Sequence, residues 1–215
     1  MKKYLWLAVA GAVTLVPAVD LAQVWPQLPA RVPIHFNTAG EPDRMGDPAT
    51  LWLLAGMPLL TFVFMLLVPN IDPKKRLILN TNYQKLVLTI MAGTAAIGVL
   101  ITHSTVAGHV DSRWVLLILC GMWVLLGNYI VTVPPNYFAG IRTPWTLEDP
   151  VVWQRTHRVA GRAMVVAGLL GLPLAWLVTA PWAVGVVMGL LVTVTLGAVV
   201  YSYVVWRQVG AEAAR

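Results

Sequence analysis

The sequence predicts an all-α integral membrane protein, a six-transmembrane-helix bundle with both termini cytoplasmic. Three observations carry this. The 215 residues are 58% hydrophobic and only 11% charged, where a soluble domain carries roughly 25% charged residues. Six apolar segments each approach the ~20 residues that cross a bilayer. The basic residues segregate by loop. With the N-terminus inside, only Arg31, Arg44 and Arg113 of the 15 Lys and Arg fall on the outer side, a strong positive-inside bias. The net charge of +6 therefore follows from topology, and no direct nucleic-acid binding is implied. The single cysteine, Cys120, lies within an apolar run, so no intramolecular disulfide exists and packing is its expected role.

Taken in order, the expected spans run Tyr4–Trp25, Ala49–Val68, Leu86–Val106, Trp114–Val133, Val159–Val178 and Pro181–Trp206. The first follows Lys2 and Lys3, and Val16-Pro17-Ala18 resembles a cleavage site. Its apolar run exceeds the roughly 7–15 residues of a signal h-region, so it reads as an uncleaved helix. Thr89, Thr94, Thr102 and His103 dilute the third. Gly185 and Gly189, like Ala167 and Gly171, have the small-xxx-small spacing of close helix packing. Asp20 is the only acidic residue in any span, whereas a proton-coupled transporter usually carries more intramembrane carboxylates.

Three loops remain. The first, 26–48, is punctuated by prolines and glycines, which implies ordered turns. Val32–Phe36 reads as an extended piece and Asn37–Gly40 as a turn with Gly40 at positive φ. Asp47-Pro48 reads as a cap opening the second span. This loop is too short for its own core and is expected to lie over the outer helix ends. His35 and Asn37 are candidate ligand contacts or, more simply, satisfy backbone groups in the turn. A lone histidine is a poor metal site. The second loop carries Lys74-Lys75-Arg76, expected to set topology and contact anionic lipid.

The third loop, with the helix start that follows, spans Asn136 to Arg162 and is the longest polar and aromatic run in the chain. Asn136 to Gly140 reads as an aromatic turn at headgroup level, and Trp145 also suits the interface. Either Thr146 caps a helix with Asp149 at its third position, or Asp149 caps it with Pro150 first. Trp153 and His157 are four apart and share a helix face, as do Arg158 and Arg162. Asn128, in the last turns of the fourth span, needs a polar partner at that depth. Arg142, Trp145 and His157 are expected to converge on it.

The order Gly127-Asn128-Tyr129, then Pro135 to Leu147, then Val152-Trp153 and Thr156-His157-Arg158 with Gly161 closely resembles the signature of SdpI-family bacterial immunity proteins. The first loop, from Leu28 to Arg44, looks like the membrane module of unknown function that commonly precedes that signature. The resemblance implies an N-terminal module over 1–69, with two spans and an extracytoplasmic loop 26–48. It implies an SdpI-like four-span module over 86–215, with a cytoplasmic signature loop 134–162. Its positions are Asn128, Asn136, Tyr137, Gly140, Arg142, Trp145, Trp153, His157 and Arg158, none with a catalytic role. It also implies a multi-pass protein of the bacterial cytoplasmic membrane that gives resistance to a secreted antimicrobial peptide toxin and signals to a cytoplasmic transcriptional repressor. The partners are then bilayer lipids, that peptide outside and that repressor inside, with no cofactor and no enzymatic activity. The runner-up reading is a lipid-binding protein or a lipid or small-solute transporter, in which arginines such as Arg142 and Arg158 hold a phosphate.

Overall fold

Six helices long and apolar enough to cross a membrane form an antiparallel bundle in the computed structural model, which describes residues 4–74, 81–180 and 182–213. They are α1 (Leu5–Val24), α2 (Leu51–Ile71), α3 (Thr81–Ala107), α4 (Ser112–Ile130), α6 (Pro150–Leu177) and α7 (Trp182–Ala213), with a single-turn helix α5 (Pro144–Glu148) between α4 and α6. The six expected spans are all present. The fifth is longer than its apolar run because helix begins at Pro150, where Asp149 Oδ1 caps Val151 N at 2.6 Å and Val152 N at 3.3 Å. The Asp149-Pro150 alternative is thus the one adopted. Lys2, Lys3, Lys75, Arg76 and Arg215, part of the charge argument, lie outside the described residues.

At one end, the expected extended piece, β1 (Val32–Phe36), pairs antiparallel across the expected turn with a second strand, β2 (Pro42–Gly46), not expected from the sequence. Asn37 Oδ1 accepts from Ala39 N and Glu41 N, closing the turn, and Gly40 takes φ 85°. The Gly40 carbonyl accepts from Val110 N at 3.0 Å, which pins the hairpin over the α3–α4 corner. Val32 is fully buried with Leu21, Leu51 and Ala55. Aromatic pairs Trp25–Trp52 and Trp114–Trp176 mark this end. Trp145, Tyr203 and Trp206 mark the other, as rings at two membrane interfaces do.

On the bundle surface, Asp20 of α1 meets the exposed His103 of α3 at 2.9 Å, so this span carboxylate has a partner. Between membrane-spanning helices, close backbone approach joins α4 to α6. A Cβ on Gly127 would lie 2.6 Å from the Gly161 carbonyl oxygen, and one on Gly168 2.7 Å from that of Cys120. Gly171 likewise faces the buried Cys120 thiol. Gly185 and Gly189 do not pack: open space surrounds both. The apolar face of α7 runs through Ala183, Val187 and Leu191 instead, which turns those two glycines outward.

Candidate functional site

The signature loop folds into a plug at the end of the bundle opposite the hairpin. Asn136 is fully buried and uses its whole amide. Its Nδ2 donates to Pro134 O at 2.8 Å and Ala139 O at 2.9 Å. Its Oδ1 accepts from Phe138 N and Ala139 N. A buried amide left unpaired costs about 1–3 kcal/mol, so this pairing holds residues 134–139 in one turn. Gly140 follows at φ 117°, a conformation that side chains disfavour.

His157 sits directly behind Gly140, 1% exposed. Its Nε2 accepts the Ile141 backbone N–H at 2.9 Å. That nitrogen is therefore unprotonated, and Nδ1 carries the hydrogen and donates to Trp153 O at 2.8 Å. Both ring nitrogens are engaged, so the imidazole as placed is neither a metal ligand nor a free base. Trp153 stacks on it with centroids 4.0 Å apart and rings 21° from parallel, as their four-residue spacing predicts. The Trp153 indole N–H donates to Val133 O at 2.8 Å. The same ring enters a core with Trp6, Phe62, Met65, Tyr83 and Met91, which ties the signature loop to α1, α2 and α3.

Trp145 docks α5 on α7. Its indole N–H donates to Ser202 Oγ at 2.6 Å, and the ring lies edge-on to Tyr203 at 5.4 Å. The cap of α5 is Thr143, paired reciprocally with Thr146. Thr146, read from sequence as a possible cap, supplies that box's third position, and its hydroxyl also donates to Ile141 O at 2.8 Å. Arg142 is exposed, and its guanidinium donates to Tyr137 O at 2.7 Å, closing the loop on itself.

The expected convergence on Asn128 does not describe this arrangement. His157 serves the Ile141 backbone, Trp145 serves α7 and Arg142 serves Tyr137. Asn128 lies on the outside of α4, where it lines a furrow with Arg158 and Arg162. The reason is the helix turn: His157 and Arg158 are adjacent, so one points into the plug and the other away.

Two residues outside the signature clamp the plug from the end of α2. Asp72, 1% exposed, accepts from Tyr137 N at 3.2 Å. Lys74 donates to Leu147 O and lies 5.5 Å from the centre of the Tyr137 ring. Lys74 thus does more than set topology, while Lys75 and Arg76 lie outside the described residues. Asp72 reads as a helix breaker in Ile71-Asp72-Pro73, and nothing in one sequence links it to Tyr137. Ser202, a fully buried hydroxyl in an apolar helix, needs a partner there, and its polarity in that run was a legible signal.

At the hairpin end, His35 and Asn37 line a cavity of about 510 Å³ beneath the strands. Apart from Thr38 and Ser112 its other walls are apolar, and four helices contribute to them through Leu54, Ile101, Leu119 and Met188. His35 Nδ1 pairs with Asp43 Oδ1 at 2.6 Å on the exposed rim. Asn37 has the turn-satisfying role that its sequence context suggests. Among the described residues, no group of three or more His, Cys, Asp or Glu is placed to hold a metal ion.

Residues 132–204 match the SdpI/YfhL protein family, and residues 12–62 match a domain of unknown function, DUF1648. The chain is 23% identical over 175 residues to "Immunity protein SdpI" of Bacillus subtilis (strain 168), covering 79% of this chain and 80% of that protein. No solved structure matches.

Proposed function

From an SdpI-family segment over residues 132–204 in a multi-pass plasma-membrane chain, we propose a non-enzymatic immunity protein that gives resistance to a secreted, membrane-active peptide. One observation carries the reading beyond the relative's name. The cavity under the hairpin is mostly apolar and is built jointly by the N-terminal hairpin and helices of the signature half. An apolar peptide segment gains about 25 cal/mol for each Å² it removes from water. In this reading the hairpin is outside, the signature plug is cytoplasmic, and 1–69 and 86–215 act as the receiving and reporting modules. The exposed rim of the plug, with Tyr137, Arg142 and Glu148, is where a cytoplasmic repressor docks. Transmission requires the peptide to favour one of two helix arrangements. Trp153, packed into the α1–α3 core at one end of α6, is placed to sense it.

Expression in a sensitive bacterium is expected to raise tolerance to the cognate peptide. Unchanged tolerance across a panel of membrane-active peptides would overturn the proposal. The orientation has its own test, because Thr38 and Glu148 are both exposed. A cysteine at Thr38 should react with an impermeant reagent added outside, and one at Glu148 should not. Thr146, a natural first choice for the inner probe, is fully buried. The reverse labelling pattern would invert the two faces.

Arg142→Ala is expected to weaken protection or its signalling while leaving protein level intact. Its exposed hydrogen bond to Tyr137 contributes only about 1 kcal/mol. Lys75, the natural charge-matched comparator, lies outside the described residues, so Arg207 on α7 serves instead. Equal loss in Arg142→Ala and Arg207→Ala would show that bulk charge alone matters.

A further inference from the structure

The outward-facing groups that the plug does not use make a second site. We propose that Asn128, Arg158 and Arg162 bind the phosphate of an anionic phospholipid in the furrow between α4 and α6. Arg158 and Arg162 are one helical turn apart and exposed on the same face of α6. Asn128 is exposed on the neighbouring α4, and all three line a furrow of about 720 Å³. Among the described residues, none of the three makes a hydrogen bond or ion pair. Other cations at this end are engaged: Lys74 with Leu147, Arg142 with Tyr137, and Arg155 with Glu212 at 3.2 Å.

The furrow exists because Gly127 and Gly161 bring the two backbones together. A Cβ on either would lie within 2.6 Å of the other's carbonyl oxygen. That close approach leaves a groove flanked by polar groups at its end and by Val131, Val165 and Val166 along its length. Depth fits the same occupant. From Ala163 to Leu177, α6 carries no charged residue, so Arg162 marks the boundary between headgroup and hydrocarbon. A guanidinium pair presents planar donors to phosphate oxygens, the Asn128 amide adds a neutral donor, and the valines accept an acyl chain. An amide facing hydrocarbon without a partner is costly, and a phosphate at this position supplies one. This site is independent of the immunity reading, which uses the cavity and the plug.

The test uses the full chain purified in a neutral detergent. Short-chain phosphatidylglycerol is titrated against phosphatidylcholine of the same chains, with bound lipid counted by native mass spectrometry. One phosphatidylglycerol should bind in preference to phosphatidylcholine. R158Q/R162Q should weaken it about thirtyfold, at the usual strength of two basic residues near a charged surface. Asn128→Leu, which keeps the charge, should weaken it about tenfold through the lost charge-assisted hydrogen bond. Arg207→Gln, on α7 at the same end, should leave it unchanged. Equal binding of the two lipids, or equal loss with Arg207→Gln, overturns the proposal. So does displacement of the lipid by inorganic phosphate, which would make this a free-anion site. If the double arginine variant unfolds without added lipid, Asn128→Leu and the headgroup comparison decide the matter.

Discussion

Gly140→Ala is expected to unseat the whole signature plug. At φ 117° an alanine is strained by about 1–3 kcal/mol. Its Cβ would also press into the His157 ring and lie 3.1 Å from the edge of Trp153. Neither ring can retreat cheaply. His157 is fixed through both nitrogens, and Trp153 through its indole N–H to Val133 and through the core. Shifting His157 takes the acceptor from the part-buried Ile141 N–H, about 1–3 kcal/mol more. Together these place Gly140→Ala at about 3–5 kcal/mol, in the range reserved for strain combined with a broken buried network. Thermal unfolding in detergent checks it, with Gly185→Ala as the comparator. Gly185 is helical and surrounded by open space, so alanine there should be neutral or slightly stabilising. Matching midpoints for the two variants would refute the account of the plug.

The contrast between those glycines shows what one sequence makes legible. The spans were readable because length and apolarity report membrane crossing directly, whatever the partners. The first hairpin strand and its turn, the Asp149 cap and the Trp153–His157 stack were readable because each rests on residues within a few positions of one another. Gly185 and Gly189 have the spacing of a packing motif, but spacing does not say which face of a helix is covered. The faces that are covered were set by Gly127 against Gly161 and Gly168 against Cys120, pairs whose members lie in different helices. The plug was found as a segment, but its wiring was not. Asn136, His157 and Trp153 act mainly on backbone groups, which every residue supplies and no residue type announces. Asp72 and Ser202 reach the plug across 65 and 57 residues of chain.

The placement of Arg158 beside His157 explains why the polar signature divides into two. Adjacent residues on a helix point about 100° apart, so a run containing Trp153, His157, Arg158 and Arg162 cannot converge on one ligand. The inward members fix the loop and the outward members line the exposed furrow between α4 and α6. Mutations in the two sets should therefore separate. The inward ones lower stability, and the outward ones alter lipid preference with stability intact.

Leu119→Trp is expected to abolish protection while leaving the bundle folded. Leu119 is half-buried on α4 and lines the cavity beneath the hairpin. An indole at this position occupies space that is already open, so the overpacking penalty of about 1–3 kcal/mol that accompanies insertion into a filled core is largely avoided. What the larger side chain removes is volume available to an apolar peptide segment. Cells expressing Leu119→Trp should fall to the tolerance of cells lacking the protein, with unchanged membrane levels and unchanged labelling at Thr38. Val192→Trp is the comparator: Val192 is 50% exposed on α7 and is not in the cavity wall, so it should protect normally. Full protection by Leu119→Trp would show that the peptide does not enter the cavity. If Arg142→Ala still failed in the same cells, the protective contact would move to the signature end, and the hairpin cavity would lose its assigned role.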